Sequence, residues 1–154
     1  RIIRPINYAK SAPGSGFRFF NLGVKKILIL QVLGQVFMKK PFSEGEIKTP
    51  DKAHSSTVTL NNVTLSKAVL QPGWKWSTCI KPIVGTETCQ AGHVGVIAQG
   101  TMHVKHDDGT EMEFTEGDTY FLAPGHDAWV VGDKEVIGYE FITDDKDFGP
   151  WKKG

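Results

Sequence analysis

The sequence predicts an all-β protein built as an antiparallel sandwich or barrel, and two observations carry that prediction. Short runs of alternating apolar and polar residues recur about every ten residues and are separated by turns, and this pattern is typical of such folds. Glycine supplies 17 of the 154 residues, which suits a chain with many turns. Helical periodicity and sequence repeats are almost absent, so helical bundles and solenoids are disfavoured.

Charge and cysteine content narrow the function classes. The chain has 18 basic and 17 acidic residues and a net charge of +1. This balance does not indicate binding to nucleic acid or to an anionic membrane. Its two cysteines, Cys79 and Cys89, do not form a CxxC pair. Isolated cysteines favour a reducing, cytoplasmic location. A disulfide bond between these two cysteines is the alternative.

Residues 1–52 differ from the rest and are predicted to be an N-terminal extension or linker before a domain over residues 53–154. The extension includes a basic pair and an apolar run, Lys25–Phe37, which is shorter than the roughly 20 residues of a membrane-spanning helix. A secretory leader remains an alternative. However, Gln31 and Gln35 interrupt the run, and no small-residue cleavage site follows it.

We consider Met38 a candidate for the natural start, because Met-Lys-Lys-Pro is typical of a cytosolic N-terminus. Residues 1–37 would then lie outside the working domain. An ordinary packed segment is the third alternative. Residues 41–56 are polar and rich in helix and strand breakers, which predicts a linker or an arm along a sheet edge.

Strands are predicted wherever apolar residues alternate. Trp74 and Trp76 are expected on one face of an extended segment, either as packing residues or as a stacking platform for a ligand. Pro82 favours an edge position for the extended segment around it. The predicted strands are 57–60, 63–70, 79–84, 86–90, 93–99, 101–106, 110–114, 119–123, 128–131 and 135–142.

One turn gives the strongest hairpin signal in the chain. Asp107-Asp108-Gly109 separates two alternating runs, and an Asp-Gly pair in this position favours a tight hairpin. Alternation places Met102 and Val104 toward the interior. A second hairpin is predicted around 132–134, between the last two strands.

Two motifs in this region resemble those of the cupins. Gly117–Gly125, GDTYFLAPG, is similar to the second cupin motif, and Gly100 to the glycine that ends the first motif. The resemblance covers about residues 57–142. It implies a double-stranded β-helix, the cupin jelly-roll barrel, with an internal pocket. It also implies dimers formed through sheet faces.

The metal-binding positions of the family carry other residues here. Most cupins hold a divalent metal ion with two His at spacing two, then a Glu, and a last His after the Pro-Gly turn. Aligned on the two glycine landmarks, these positions fall on Glu87 and Cys89, on His93, and on Ala128. The substitutions count against the usual metal-dependent chemistry of the family.

The replacement residues still form a possible metal set. Glu87, Cys89, His93 and His126 could bind zinc tetrahedrally, since zinc accepts carboxylate, thiolate and imidazole. Iron, manganese and nickel are the other candidate divalent ions. The alternative is that Cys89 is a buried apolar residue, that Glu87 pairs with a lysine, and that His93 bonds a pocket neighbour.

Three functions are compatible with the sequence. The first is a small-molecule-binding cupin that is weakly catalytic or non-catalytic, the second a metal-dependent enzyme using the replacement set, and the third a homodimeric regulatory module. No nucleophile elbow, phosphate loop or dinucleotide fingerprint is present, and no catalytic residue is assigned. The expected pocket residues are Trp74, Trp76, His93, Met102, Tyr120, His126 and Tyr139.

Overall fold

A computed structural model describes residues 37–142. The apolar run up to residue 36 lies outside the described residues. Residues 143–154 lie outside them as well.

Nine strands and two short helices follow a 3-10 turn at Phe42–Glu44 in the described part of the chain. Neither helix is long and apolar enough to cross a membrane. The elements are β1 (Glu46–Lys48), β2 (Ala53–Leu60), β3 (Val63–Leu70), α1 (Trp76–Cys79), α2 (Lys81–Val84), β4 (His93–Gln99), β5 (Thr101–His106), β6 (Glu111–Thr115), β7 (Thr119–Leu122), β8 (His126–Val130) and β9 (Val136–Ile142).

The strands form two antiparallel sheets, and this confirms the all-β, double-stranded β-helix prediction. The larger sheet has the order β1-β2-β3-β9-β4-β7, and the smaller has the order β6-β5-β8. Side chains alternate between buried and exposed along β4 and β7, as expected where one sheet face is covered and the other is solvated. The core lies between the inner faces of the two sheets.

The hairpin predicted at Asp107–Gly109 is confirmed. Lys105 pairs with Glu111 across the turn, and Gly109 has a φ of +89°, a conformation that glycine adopts without steric cost. Met102 and Val104 are buried, as the alternation predicts.

The second predicted hairpin, around residues 132–134, is wrong. Strand β8 pairs with β5 in the smaller sheet, whereas β9 pairs with β3 and β4 in the larger one. The turn therefore carries the chain from one sheet to the other. A Gly-Asp-Lys turn specifies a reversal of direction but does not specify which neighbour each strand pairs with.

The segment from Trp74 to Val84 is not extended as predicted. Trp76–Cys79 and Lys81–Val84 each form one helical turn. Pro82 lies in the first turn of the second helix, where its missing N–H costs no hydrogen bond. Gly85 ends this helix in a left-handed conformation, with φ +80°, as C-terminal glycines commonly do.

The predicted linker contributes to the larger sheet. Glu46 pairs with Thr57, and Lys48 pairs with Ser55, so residues 46–48 extend the sheet at its edge. The Ser56 hydroxyl donates to the Phe42 carbonyl, and the Phe42 ring packs against Tyr139, with their centroids 5.7 Å apart. This arm therefore covers part of the outer sheet face.

Candidate functional site

A small pocket lies between the inner faces of the two sheets. Its volume is ≈ 50 Å³, and side chains from six strands and from the segment around α1 surround it. The lining residues are Ala68, Leu70, Trp74, Trp76, His93, Met102, Leu122, His126, Ala128 and Glu140. A second, more open pocket of ≈ 260 Å³ borders the first, and His126 lines both pockets.

Three potential metal ligands meet at one side of the small pocket. The ligand atoms of Cys89, His93 and His126 all lie within 4.8 Å of one another, and all three residues are buried. The Cys89 Sγ atom is 3.4 Å from Nε2 of His93. In the described part of the chain, this is the one group of three or more such residues close enough to hold a metal ion.

Backbone pairing brings Cys89 to the two histidines, although Cys89 belongs to no strand. It forms an isolated bridge with His126, the first residue of β8. The Cys89 N–H donates to the His126 carbonyl at 2.8 Å, and the Gly125 N–H donates to the Cys89 carbonyl at 2.7 Å. Gly125 has a φ of +93°, so the turn before His126 depends on glycine.

The ring of His126 is held from its Nδ1 side. This atom lies 2.6 Å from the Ala123 carbonyl oxygen, which can only accept, so Nδ1 carries the proton. In the neutral ring, Nε2 is then left with a free lone pair. The His126 ring meets that of His93 edge to face, with centroids 5.2 Å apart.

A buried carboxylate faces the Nδ1 side of His93. Oε1 of Glu140 is 3.0 Å from His93 Nδ1, although Nδ1 has no aligned hydrogen-bond acceptor, so we treat this contact as an ion pair. The Tyr120 hydroxyl donates to the same oxygen at 3.1 Å. Burial opposes ionisation of Glu140, but the charge of His93 and the hydrogen bond from Tyr120 keep the pKa of this carboxyl below its usual value.

The same contacts shift the pKa values of Cys89 and His93 in opposite directions. Burial raises the pKa of Cys89, but hydrogen bonds to His126 and His93 outweigh it and lower the value from 9.0 to about 6. Burial lowers the pKa of His93, but the charge of Glu140 and the bond to Cys89 raise it from 6.5 to about 10. Near neutral pH the pair is therefore a thiolate and an imidazolium.

The distance between two of the three ligand atoms fits a divalent metal ion. Zn–S bonds of about 2.3 Å and Zn–N bonds of about 2.0–2.1 Å at tetrahedral angles put sulfur and nitrogen about 3.5 Å apart, close to the observed 3.4 Å. Metal-bound histidines usually direct their other ring nitrogen at a carboxylate or a backbone carbonyl. His93 and His126 do so with Glu140 and Ala123.

The structure brings most of the predicted site residues together. The pocket is lined by five of them, Trp74, Trp76, His93, Met102 and His126, and His126 is buried. Tyr120 is buried and reaches the site through Glu140.

Two predicted residues lie elsewhere. Glu87 is exposed and pairs with Lys81, so the predicted metal set of four is reduced to three. Tyr139 lies on the outer face of β9, against Phe42. Of the other histidines, His103 stacks on Trp129 and His106 pairs with Asp108.

Glu140 is the functional candidate that the sequence analysis missed. It lies in a strand of mostly apolar residues, at an inward position that shares a face with Val136 and Gly138. A single carboxylate at an inward position of an otherwise apolar strand is the signal that could have identified it, because unpaired buried charges are rare.

The two antiparallel sheets and the pocket between them define a jelly-roll protein. More particularly, the chain belongs to the family of YmdB-like proteins, whose family model matches residues 1–107. A comparison with curated protein sequences found no match.

Solved structures share the fold at low sequence identity. A protein of unknown function from Rhizobium leguminosarum is 15% identical, and the alignment covers 71% of this chain and 99% of that one with a TM-score of 0.51. Peruvianin-I, a cysteine peptidase from Thevetia peruviana latex, is 16% identical over 75% of this chain and 77% of its own, with a TM-score of 0.50. An RmlC-like cupin from Shewanella frigidimarina is 19% identical, and the alignment covers 71% of this chain and 94% of that one with a TM-score of 0.49.

Proposed function

We propose that this cupin binds a small molecule at a divalent metal ion held by Cys89, His93 and His126. One observation carries the proposal: the three ligand atoms lie within 4.8 Å of one another, while Nδ1 of each histidine faces an acceptor on its other side.

The donor set favours zinc among the candidate ions. One sulfur and two imidazole nitrogens suit zinc, iron or nickel better than manganese, which prefers oxygen ligands. Three protein ligands leave one coordination position open, and this is the arrangement of catalytic rather than structural zinc sites. An ion held in this way would supply Lewis-acid polarisation of a bound group.

The residues of the chain itself have distinct roles in this proposal. Cys89 provides the negative charge among the ligands, and Glu140 orients His93 and increases its basicity. The Ala123 carbonyl fixes the tautomer of His126. Aliphatic side chains, including those of Leu70 and Met102, restrict water around the open position.

Metal binding is tested directly on protein prepared without a histidine tag. Elemental analysis is expected to give one metal ion per chain, and Co²⁺ is expected to give a thiolate-to-metal charge-transfer band. Cys89→Ser should abolish the band, whereas Cys79→Ser is the matched control and should keep it. The proposal is refuted if metal stays well below one per chain, or if Cys89→Ser binds as tightly as the wild type.

A homodimeric role is a second candidate function. Val94 and Phe141 point outward from the larger sheet and are 42% and 46% exposed, and exposed apolar side chains on a sheet face support pairing. Light scattering at micromolar concentration tests this role, and a monomer would remove its support.

We retain the cytoplasmic prediction as part of the proposal. Both cysteines are free and buried, and metal binding requires Cys89 to stay reduced. A reducing compartment meets that requirement.

A further inference from the structure

The inner face of the smaller sheet leaves one apolar side chain open to solvent. Val104 on β5 pairs with Met112 on β6, and directly paired residues present their side chains on the same face of a sheet. Val104 is 6% exposed, whereas Met112 is 56% exposed. Apolar side chains on a core face are usually buried, so Met112 has room for a further apolar partner.

The space beside Met112 is the larger pocket, which has a volume of ≈ 260 Å³. Side chains from β6 and β7 line it, and these strands end the two sheets in the described part of the chain. Phe114 from β6 and Phe121 from β7 are among them. The wall of the pocket therefore combines two aromatic rings with a methionine thioether.

The polar side chains that line the larger pocket already have partners within the protein. His106 Nε2 lies 3.0 Å from the Pro124 carbonyl oxygen, and His106 Nδ1 lies 3.1 Å from Oδ1 of Asp108. The same Asp108 oxygen accepts from the Thr110 N–H at 2.8 Å. A charged ligand would lose its hydration here without gaining a new partner, so the pocket favours an uncharged one.

The size and the wall of the larger pocket indicate the kind of apolar group. Pockets for drug-sized ligands measure about 300–1,000 Å³, and this pocket is smaller, which suits a single ring. Aromatic side chains attract a further ring edge to face or offset, and methionine sulfur makes favourable contacts with aromatic rings. An aliphatic group of the same size gains only the burial of its apolar surface.

We infer that the larger pocket binds an uncharged compound with one aromatic ring, of which phenol is the simplest example. The ring lies against Met112 and Phe114 and covers the exposed part of Met112. His126 lines both pockets, so a ring bound here lies next to the proposed metal site. The inference goes beyond the proposed function, because the pocket would bind the ring with or without a metal ion.

The test follows the methyl signals of the methionines by NMR while phenol is added to the wild-type protein. The sequence has three methionines, which are Met38, Met102 and Met112. The ring current of phenol is expected to move the Met112 signal and to leave that of Met38, in the N-terminal arm, unchanged. A Met112 signal that does not move, or a shift confined to Met102 in the small pocket, would overturn the inference.

Three analogues test the class of the ligand. Cyclohexanol has a similar size but no aromatic ring, and benzoate and benzylammonium have the ring but carry a charge. Each should bind about 5-fold or more weakly than phenol. Any analogue that binds as tightly as phenol would overturn the assigned class. A Met112 signal that moves with protein concentration instead of with phenol would show that a second copy of the chain covers the pocket, and this too would overturn the inference.

Methionine variants test the wall of the pocket, with binding measured on the NMR signals of phenol. Met112→Ser removes the apolar thioether and should weaken phenol binding by about 5-fold or more. Met38→Ser is the matched control, because Met38 is 48% exposed and does not line the pocket, and it should bind phenol as the wild type does. Both positions are exposed, so neither change should prevent folding. Equal binding by the two variants would contradict the inference.

The metal proposal and the ring proposal fail separately. Zinc bound at one ion per chain, with no response of Met112 to phenol, overturns the ring proposal and leaves the metal site standing. A response of Met112 to phenol in a protein that binds no zinc overturns the metal site and leaves the ring proposal standing.

Discussion

At the proposed metal site, the charge of Glu140 should control how metal binding depends on pH. A proton must leave His93 before its Nε2 atom can bind a metal ion, and the carboxylate 3.0 Å from Nδ1 favours the protonated ring. Glu140→Gln removes the negative charge but keeps the size of the side chain and its acceptor oxygen. It therefore separates the electrostatic role of Glu140 from its role in packing.

The size of the effect follows from the pKa of His93, which is raised to about 10. Between the Cys89 pKa of about 6 and the His93 pKa of about 10, each bound ion displaces one proton from the pair, so the apparent affinity rises about 10-fold per pH unit. The wild-type rise between pH 7 and 10 is then about 1,000-fold. Loss of a neighbouring opposite charge lowers such a pKa by about 1–3 units. The increase in zinc affinity between pH 7 and pH 10 should therefore be about 10- to 1,000-fold smaller in Glu140→Gln than in the wild type.

The assay is a competition for zinc against a chelator of known affinity at each pH. At pH 10 the variant should bind zinc about 10- to 100-fold more weakly than the wild type, the usual cost of losing a residue that supports a ligand. The two curves should approach each other toward pH 7. Parallel curves of wild type and variant would refute the reasoning, because Glu140 would then have no part in the protonation of His93.

Three further predictions concern the same core. In the metal-free protein, the ultraviolet absorbance of the Cys89 thiolate, which Cys89→Ser should remove, is expected to titrate with a midpoint near the pKa of about 6. Because this pKa is lowered from 9.0, the stability that the thiolate contributes is present above pH 9 and is lost as pH falls through 6. A midpoint near 9 would contradict the assigned ion pair. Tyr120→Phe removes the hydroxyl that donates to Glu140 at 3.1 Å and should weaken zinc binding by up to about 10-fold, with no change in metal stoichiometry; unchanged affinity would show that this hydroxyl does not support the site. Gly95→Ala would place a Cβ atom in contact with the Tyr139 carbonyl oxygen and 2.7 Å from the Tyr120 hydroxyl, so thermal unfolding should reveal a decrease of about 1–3 kcal/mol in the free energy of unfolding. The control variant Val94→Ala, at an exposed position of the same strand, should decrease it much less. Equal decreases would mean that the glycine is not needed for close packing.

The fold was largely predictable because alternation and turns are local signals. The strand pattern around Asp107–Gly109 sets the hairpin and the buried side of β5. Pairing between distant strands is not local, which explains why the hairpin around residues 132–134 was wrong. The helical turns at Trp76–Val84 were missed because each is only four residues long, too short for a periodicity of 3.6 to appear.

The candidate site was predictable only in part, because a period of two applies only within a strand. Glu87 and Cys89 would share a face if residues 86–90 were extended. Instead Cys89 alone pairs with β8, and Glu87 turns to solvent and Lys81. Glu140 could not be linked to His93 from sequence, because the register of β9 on β4, which pairs Gly95 with Glu140, is set by the whole barrel.

The departure from the usual cupin ligand positions is a displacement along a strand rather than a simple loss. The family position for the last histidine falls on Ala128, and His126 lies two residues earlier on β8. Both side chains are buried and line the pocket, because a shift of two residues keeps a side chain on the same sheet face. The imidazole therefore moves by about 6–7 Å along the strand, toward Cys89.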